Sequence, residues 1–249
     1  MVVRFFCLLA LLIPGNIYAG NLYLDSVEKS VVTEKELNEA RKSLKELKEV
    51  KLIENLPLKP YHKRLKTPEP LRESFCFTCH KRLPHGKNDH NRTFLNMHTG
   101  FIACEVCHFK AEGTPLEYVT EKEEGANQHD GNASGEKPAV KKMIIPYFKG
   151  EAVTLPGDHP YAKEVEKKWK KLPPEEKARL KAKLHKPLKD KGPLCRDCHS
   201  KKQKILNFKA LGYKAKRIKA LEQNKIADFL DKVKDKKKSI KITDLLDKK

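Results

Sequence analysis

The chain has 249 residues, with 53 Lys and Arg against 33 Asp and Glu, a formal charge of +20, and it is 39% hydrophobic and 35% charged. That length allows one domain, but the apolar content is thin for filling its interior. The basic balance comes without aromatic-interleaved basic motifs, which argues against nucleic acid as the partner.

Arg4, the apolar run Phe5 to Ile13 and the sequence Ile17-Tyr18-Ala19 have the order of a secretory leader cleaved near Ala19. The run is shorter than the about 20 apolar residues a membrane span requires, which disfavours a retained anchor. Cys7 lies inside the leader and follows Phe6 rather than a small residue, so lipid attachment there is not expected. The mature chain, at +19 without Arg4, is expected outside the cytoplasm, in a periplasm or facing the exterior.

Residues 20–60 read as an amphipathic helix and a proline-rich lead-in. Thr33 and Glu36 have capping-box spacing, and Leu37, Ala40, Leu44 and Leu47 form one apolar stripe. Pro57, Pro60, Pro68 and Pro70 then hold the chain extended.

Three motifs follow: Cys76-Phe77-Thr78-Cys79-His80, Cys104-Glu105-Val106-Cys107-His108 and Cys195-Arg196-Asp197-Cys198-His199. Disulfides, or a zinc site made by Cys76, Cys79, Cys104 and Cys107, are the simpler uses of such cysteines. Neither explains a histidine directly behind every pair, and zinc leaves Cys195 and Cys198 without a partner pair. The pattern suits covalent haem: two thiols a short turn apart add to two vinyl groups, and the next histidine lies on the iron axis.

With their histidine-rich flanks, these motifs resemble those of multihaem c-type cytochromes, over roughly 61–109 and 184–212. The resemblance implies three haem c groups held by Cys76, Cys79, Cys104, Cys107, Cys195 and Cys198, with His80, His108 and His199 as proximal iron ligands. It also implies low-spin haems with histidine on both faces, and electron transfer. Three distal ligands would then come from His62, His85, His90, His98, His129, His159 and His185. His98 ranks first: it ends the helix-like run 93–98 behind Phe94 and Leu95, six residues before Cys104, within reach of either neighbouring haem. His185 ranks second, closing a helix over 174–186 and preceding Cys195 by ten. The third is open among His62, His90, His159 and His85, in that order, with His129 left in solvent. Methionine is the other common sixth ligand and raises the potential. Met97 competes with its neighbour His98, and Met143 reads as core.

His80 and His108 are 28 positions apart, His108 and His199 are 91 apart, so the first two haems should be near neighbours. Residues 120–140 read as an exposed loop or insertion within a haem domain spanning 61–213. Tyr118, Tyr147, Phe148, Tyr161 and Trp169 are candidates to lie on porphyrin faces or simply in the core. Beyond the third motif, Leu206, Phe208, Leu211 and Tyr213 should cover the last haem, with Gly212 permitting a turn. Residues 214–249 read as one long basic helix, with Ile218, Leu221, Ile226, Phe229, Leu230 and Val233 on one face, and a fraying tail.

The expected fold is mainly α with long irregular loops, helical segments wrapped around three covalently bound haems and little or no β-sheet. The expected function is an exported electron carrier, not an enzyme, serving redox proteins with acidic docking faces, or acting at a membrane complex or an anionic membrane surface. Two other readings stay open: a haem enzyme with one open iron, and a haem subunit of a larger complex or filament.

Overall fold

The computed structural model describes residues 20–46, 73–86, 94–122, 142–202 and 205–232. The leader, Leu47, His62, His90, His129, most of 120–140, Val233 and the tail lie outside them. No helix among the described residues is long and apolar enough to cross a membrane.

Helix α1 (Leu22–Glu28) starts at Asn21, whose Oδ1 accepts from Leu24 N at 3.1 Å while its Nδ2 donates to Ala152 O at 2.9 Å. One amide side chain therefore caps the helix and fastens it to a strand 131 residues away. Leu24 and Val27 turn inward to a cluster with Phe75, Phe109, Val153, Leu155, Ala162, Val165 and Leu184. Helix α2 (Glu34–Lys45) has the capping box read in the sequence, formed by Thr33 and Glu36. It lays Leu37 and Ala40 against Ala178 and Ala182 of α6 (Pro174–His185). Alanines at that seam let the two helices approach closely. Arg41 grips Glu175 through two bonds, 2.8 and 2.5 Å, and Lys186 reaches Glu36 at 2.5 Å. The Lys186 hydrogen bond, with those to Thr33, holds the Glu36 carboxyl down at about 2.

A short 3₁₀ turn (Phe75–Thr78), α3 (Asn96–His98) and α4 (Cys104–His108) come next, then strands β1 (Glu117–Lys122), β2 (Lys142–Phe148) and β3 (Glu151–Ala152). The strands form an antiparallel sheet in the order β1-β2-β3, with Val119 opposite Ile145 and Tyr147 opposite Ala152. Lys149 and Gly150, at φ 51° and 83°, make the two-residue turn between β2 and β3; both left-handed positions suit a primed hairpin turn, and glycine takes one without strain. Pro146 is tolerated in β2 because its carbonyl accepts from Val153 N at 2.8 Å, away from β1. Its missing N–H faces the same side, beyond the end of β3.

This sheet overturns the expectation of little or no β structure, and of helices wrapped around haems as the organising architecture. Thr120, Glu121 and Lys122, read as loop, belong to β1. The signal was weak for a physical reason: Met143, Ile144, Ile145 and Pro146 are all buried, so β2 is a short apolar run without alternation. The chain also fills more of its own interior than its thin apolar content suggested. Ala103, Val106, Met143, Ile144, Ile145, Leu206, Phe208 and Leu211 form a second apolar cluster beside the one around Leu24.

Helix α5 (Pro160–Lys171) and α6 have proline at their first positions, where the missing N–H costs nothing. After α7 (Cys195–Cys198), the expected long basic helix is two helices, α8 (Ala215–Glu222) and α9 (Lys225–Lys232). Asn224 breaks it: its Oδ1 accepts from Ile226 N at 3.0 Å and Ala227 N at 3.2 Å, capping α9 afresh.

Ile145 is fully buried and its strand partner Val119 is 41% exposed. We predict that Ile145→Ala costs about 2–5 kcal/mol, whereas Val119→Thr costs less than about 0.5 kcal/mol. Urea unfolding should show both as shifts of midpoint at constant slope.

Candidate functional site

Each cysteine-pair motif is a single helical turn, which brings the histidine under the first cysteine. His80 N donates to Cys76 O at 2.9 Å and His199 N to Cys195 O at 2.8 Å, while the second motif is α4 itself. Ser74 caps the first turn by accepting from Cys76 N, and Asp197 caps the third by accepting from Leu194 N at 2.9 Å. The second is held by the sheet: Ala103 N donates to Ile144 O, and Ile144 N to Phe101 O.

Across from each motif histidine stands another histidine. The ring centres of His80 and His185 are 5.9 Å apart, those of His85 and His108 6.2 Å, and those of His98 and His199 6.1 Å. Two imidazoles on opposite faces of one metal, at bonds of about 2 Å, have ring centres roughly 6 Å apart. The ring planes are 63° apart in the first pair, 15° in the second and 66° in the third.

Five of the six rings are oriented by a bond at Nδ1. His98 donates to Phe94 O at 2.7 Å and His185 to Lys181 O at 2.8 Å, each to the carbonyl four residues back. His108 donates to Lys189 O at 2.9 Å and His199 to Leu221 O at 3.0 Å, near the carbonyl end of α8. His85 donates to Asn96 Oδ1 at 3.1 Å, and Asn96 closes the bracket by accepting from His85 N and donating to His85 O. A carbonyl oxygen only accepts, so the proton sits on Nδ1 and the Nε2 lone pair is left for a metal. Burial pushes the pKa of His80, His85, His98 and His185 down, favouring that neutral form.

The motifs adjoin, with the second between the other two. The Cys76 thiol reaches Glu105 of the second motif, 3.7 Å from its Oε1, while Cys107 lies beside Gly192, whose added Cβ would stand 3.5 Å from Cys107 Cβ. Cys198 in turn lies within electrostatic reach of Cys107. All six cysteines are free of disulfides. Burial raises Cys107 to about 11 and Cys198 to about 12, and hydrogen bonding to Cys104, with burial, raises Cys76, the opposite of the lowered thiol pKa that marks redox-active cysteine pairs. Among the described residues no group of three or more His, Cys, Asp or Glu could hold a metal ion.

His98 and His185 both stand opposite motif histidines, but with partners other than those their spacing suggested: His98 faces the third motif and His185 the first. His85, ranked last, completes the second pair. His159 caps α5, its Nδ1 accepting from Tyr161 N at 3.2 Å. Met97 is 51% exposed, and Met143 is 4% exposed in β2. Of the aromatic candidates, Tyr161 packs edge-on to Phe75 and Trp169 lies under Lys177. Phe208 stands 6.4 Å from His199, and Gly212 takes φ 80° at the turn that follows.

Sequence reasoning missed Asn96, the part of α8 in holding His199, and Glu105. Asn96 had a usable signal, a polar residue amid Phe94, Leu95 and Met97; Glu105 had none. Its side chain is 4% exposed, accepts from Thr154 Oγ1 at 3.0 Å and lies 3.7 Å from Cys76 Sγ. Comparison with protein-family models, curated proteins and solved structures finds no match to this chain.

Burial raises the pKa of Glu105, so folding favours its protonated form. That contribution is complete below the ordinary carboxylate range and is lost as pH rises through the higher folded value. Glu105→Gln should therefore melt several degrees above the native protein at pH 7, with the two melting temperatures converging near pH 4.

Proposed function

We propose that the chain is an electron-transfer protein carrying three covalently attached haems, exported from the cytoplasm. The observation that carries this reading is the pairing of all three motif histidines with a second histidine at 5.9 to 6.2 Å. His80 and His185 would hold the first iron, His108 and His85 the second, His199 and His98 the third. The six motif cysteines would supply the thioether bonds.

Each bound haem supplies a one-electron ferric/ferrous couple. The chain's own work would be to hold the imidazoles that bind iron still as charge changes. Backbone carbonyls from α6, α8, residues 94 and 189, together with Asn96, do this by fixing Nδ1–H. Lysine-rich surfaces would favour docking to acidic redox partners. An open-iron enzyme would need a motif histidine that faces no second histidine; each of the three faces one.

The purified exported protein should be red, with a mass three tetrapyrroles above the mature polypeptide. Oxidised, it should show three low-spin signals, the second pair's near-parallel rings setting one apart from the other two. His185→Ala, His85→Ala and His98→Ala should each turn one third of the haem high-spin and open to carbon monoxide after reduction. A colourless protein, or unchanged spectra in all three variants, would overturn the reading.

A further inference from the structure

A cavity of about 210 Å³ opens beside the third histidine pair. Phe101, Met143, Ile144 and Tyr213 give it apolar walls, and Lys142 and Arg217 bring two cations to it. Both ligand rings of the third pair connect to it. The Phe101 ring is 5.4 Å from that of His98, while Tyr213 packs edge-on at 5.7 Å to Phe208, which in turn stands 6.4 Å from His199. Neither Lys142 nor Arg217 has a carboxylate partner among the described residues.

A porphyrin of the c type is tethered along one edge and carries its two carboxylates on the opposite edge. Cys198 sits within electrostatic reach of Tyr118, and Thr120, two residues further along β1 by about 6.8 Å, is already in the cavity wall. The cavity thus lies further along the strand from the tether. Apolar walls suit a porphyrin rim, and two cations match two carboxylates in number and sign. Arginine can bind such a group through two parallel bonds.

We propose that Lys142 and Arg217 bind the two propionate carboxylates of the third haem and hold its reduction potential above the value it would otherwise have. This rests on the haem reading above. Adding an electron near two cations is favoured; deleting a cation disfavours it, so the potential must fall.

The test is a spectroelectrochemical titration of the holoprotein and of Lys142→Gln, Arg217→Gln and the double variant, with mass spectrometry of each. His98→Ala identifies the redox step that belongs to the third haem. Each single variant should keep three tetrapyrroles and move that step alone to more negative potential, the double variant further, while Lys142→Arg and Arg217→Lys stay close to native. If the double variant loads poorly, the single variants carry the measurement. Three unmoved steps, or all three moving equally as a general charge effect, would overturn the proposal with the haem reading intact. So would a native potential that shifts saturably with added phosphate, since the cavity would then be open to a diffusible anion. A native protein without three tetrapyrroles would remove the haem reading itself, and this proposal with it.

Discussion

Three pairs of facing histidines depend on acceptors that fix their rings, and backbone carbonyls do most of that work. A carbonyl is an acceptor without rotamers, so a ring that donates to it inherits the rigidity of the helix or turn that owns it. Phe94 and Lys181 serve His98 and His185 from one turn back. Lys189 and Leu221 serve His108 and His199 from 81 and 22 residues away. The distant acceptors make the tertiary fold a condition of ring orientation: α8 has to dock before His199 is held.

The rest of the structure reads as support for those acceptors. Tyr23 in α1 donates to Leu184 O at 3.0 Å, next to His185, and α2 clamps the same end of α6 through Glu36 and Lys186. The sheet fixes the start of α4 through the reciprocal bonds among Phe101, Ala103 and Ile144. Its apolar face receives Leu206, Phe208 and Leu211, the segment that leads from the third motif to α8. Each layer contributes hydrophobic burial that holds a polar bracket at a set distance from a ring.

Much of the proposed site was legible because its cysteines and motif histidines are neighbours in the chain. Two cysteines and a histidine within five residues are readable without any fold, and the capping box of α2 is equally local. The pairing of rings was not, because it depends on where α6 and residues 85 and 98 come to rest. Spacing to the nearest motif put His185 with the third motif, yet α6 crosses to the first. β1 is short and has no fully buried residue, and β2 is buried without alternation from Met143 to Pro146, so the sheet was invisible for the same reason: its register arises from pairing between strands, not from either strand alone. Asn224 shows the converse, a single local cap that splits an otherwise continuous apolar stripe into α8 and α9.

The five residues from His185 to Lys189 serve two histidine pairs at once. His185 faces His80, while Lys189 accepts from the ring of His108 and its amide donates back to His108 O at 2.6 Å; Lys110 ties in at Lys186 O and Pro187 O. Such a shared hinge makes the two pairs interdependent: the ring of His108 is not held until the end of α6 has come to rest.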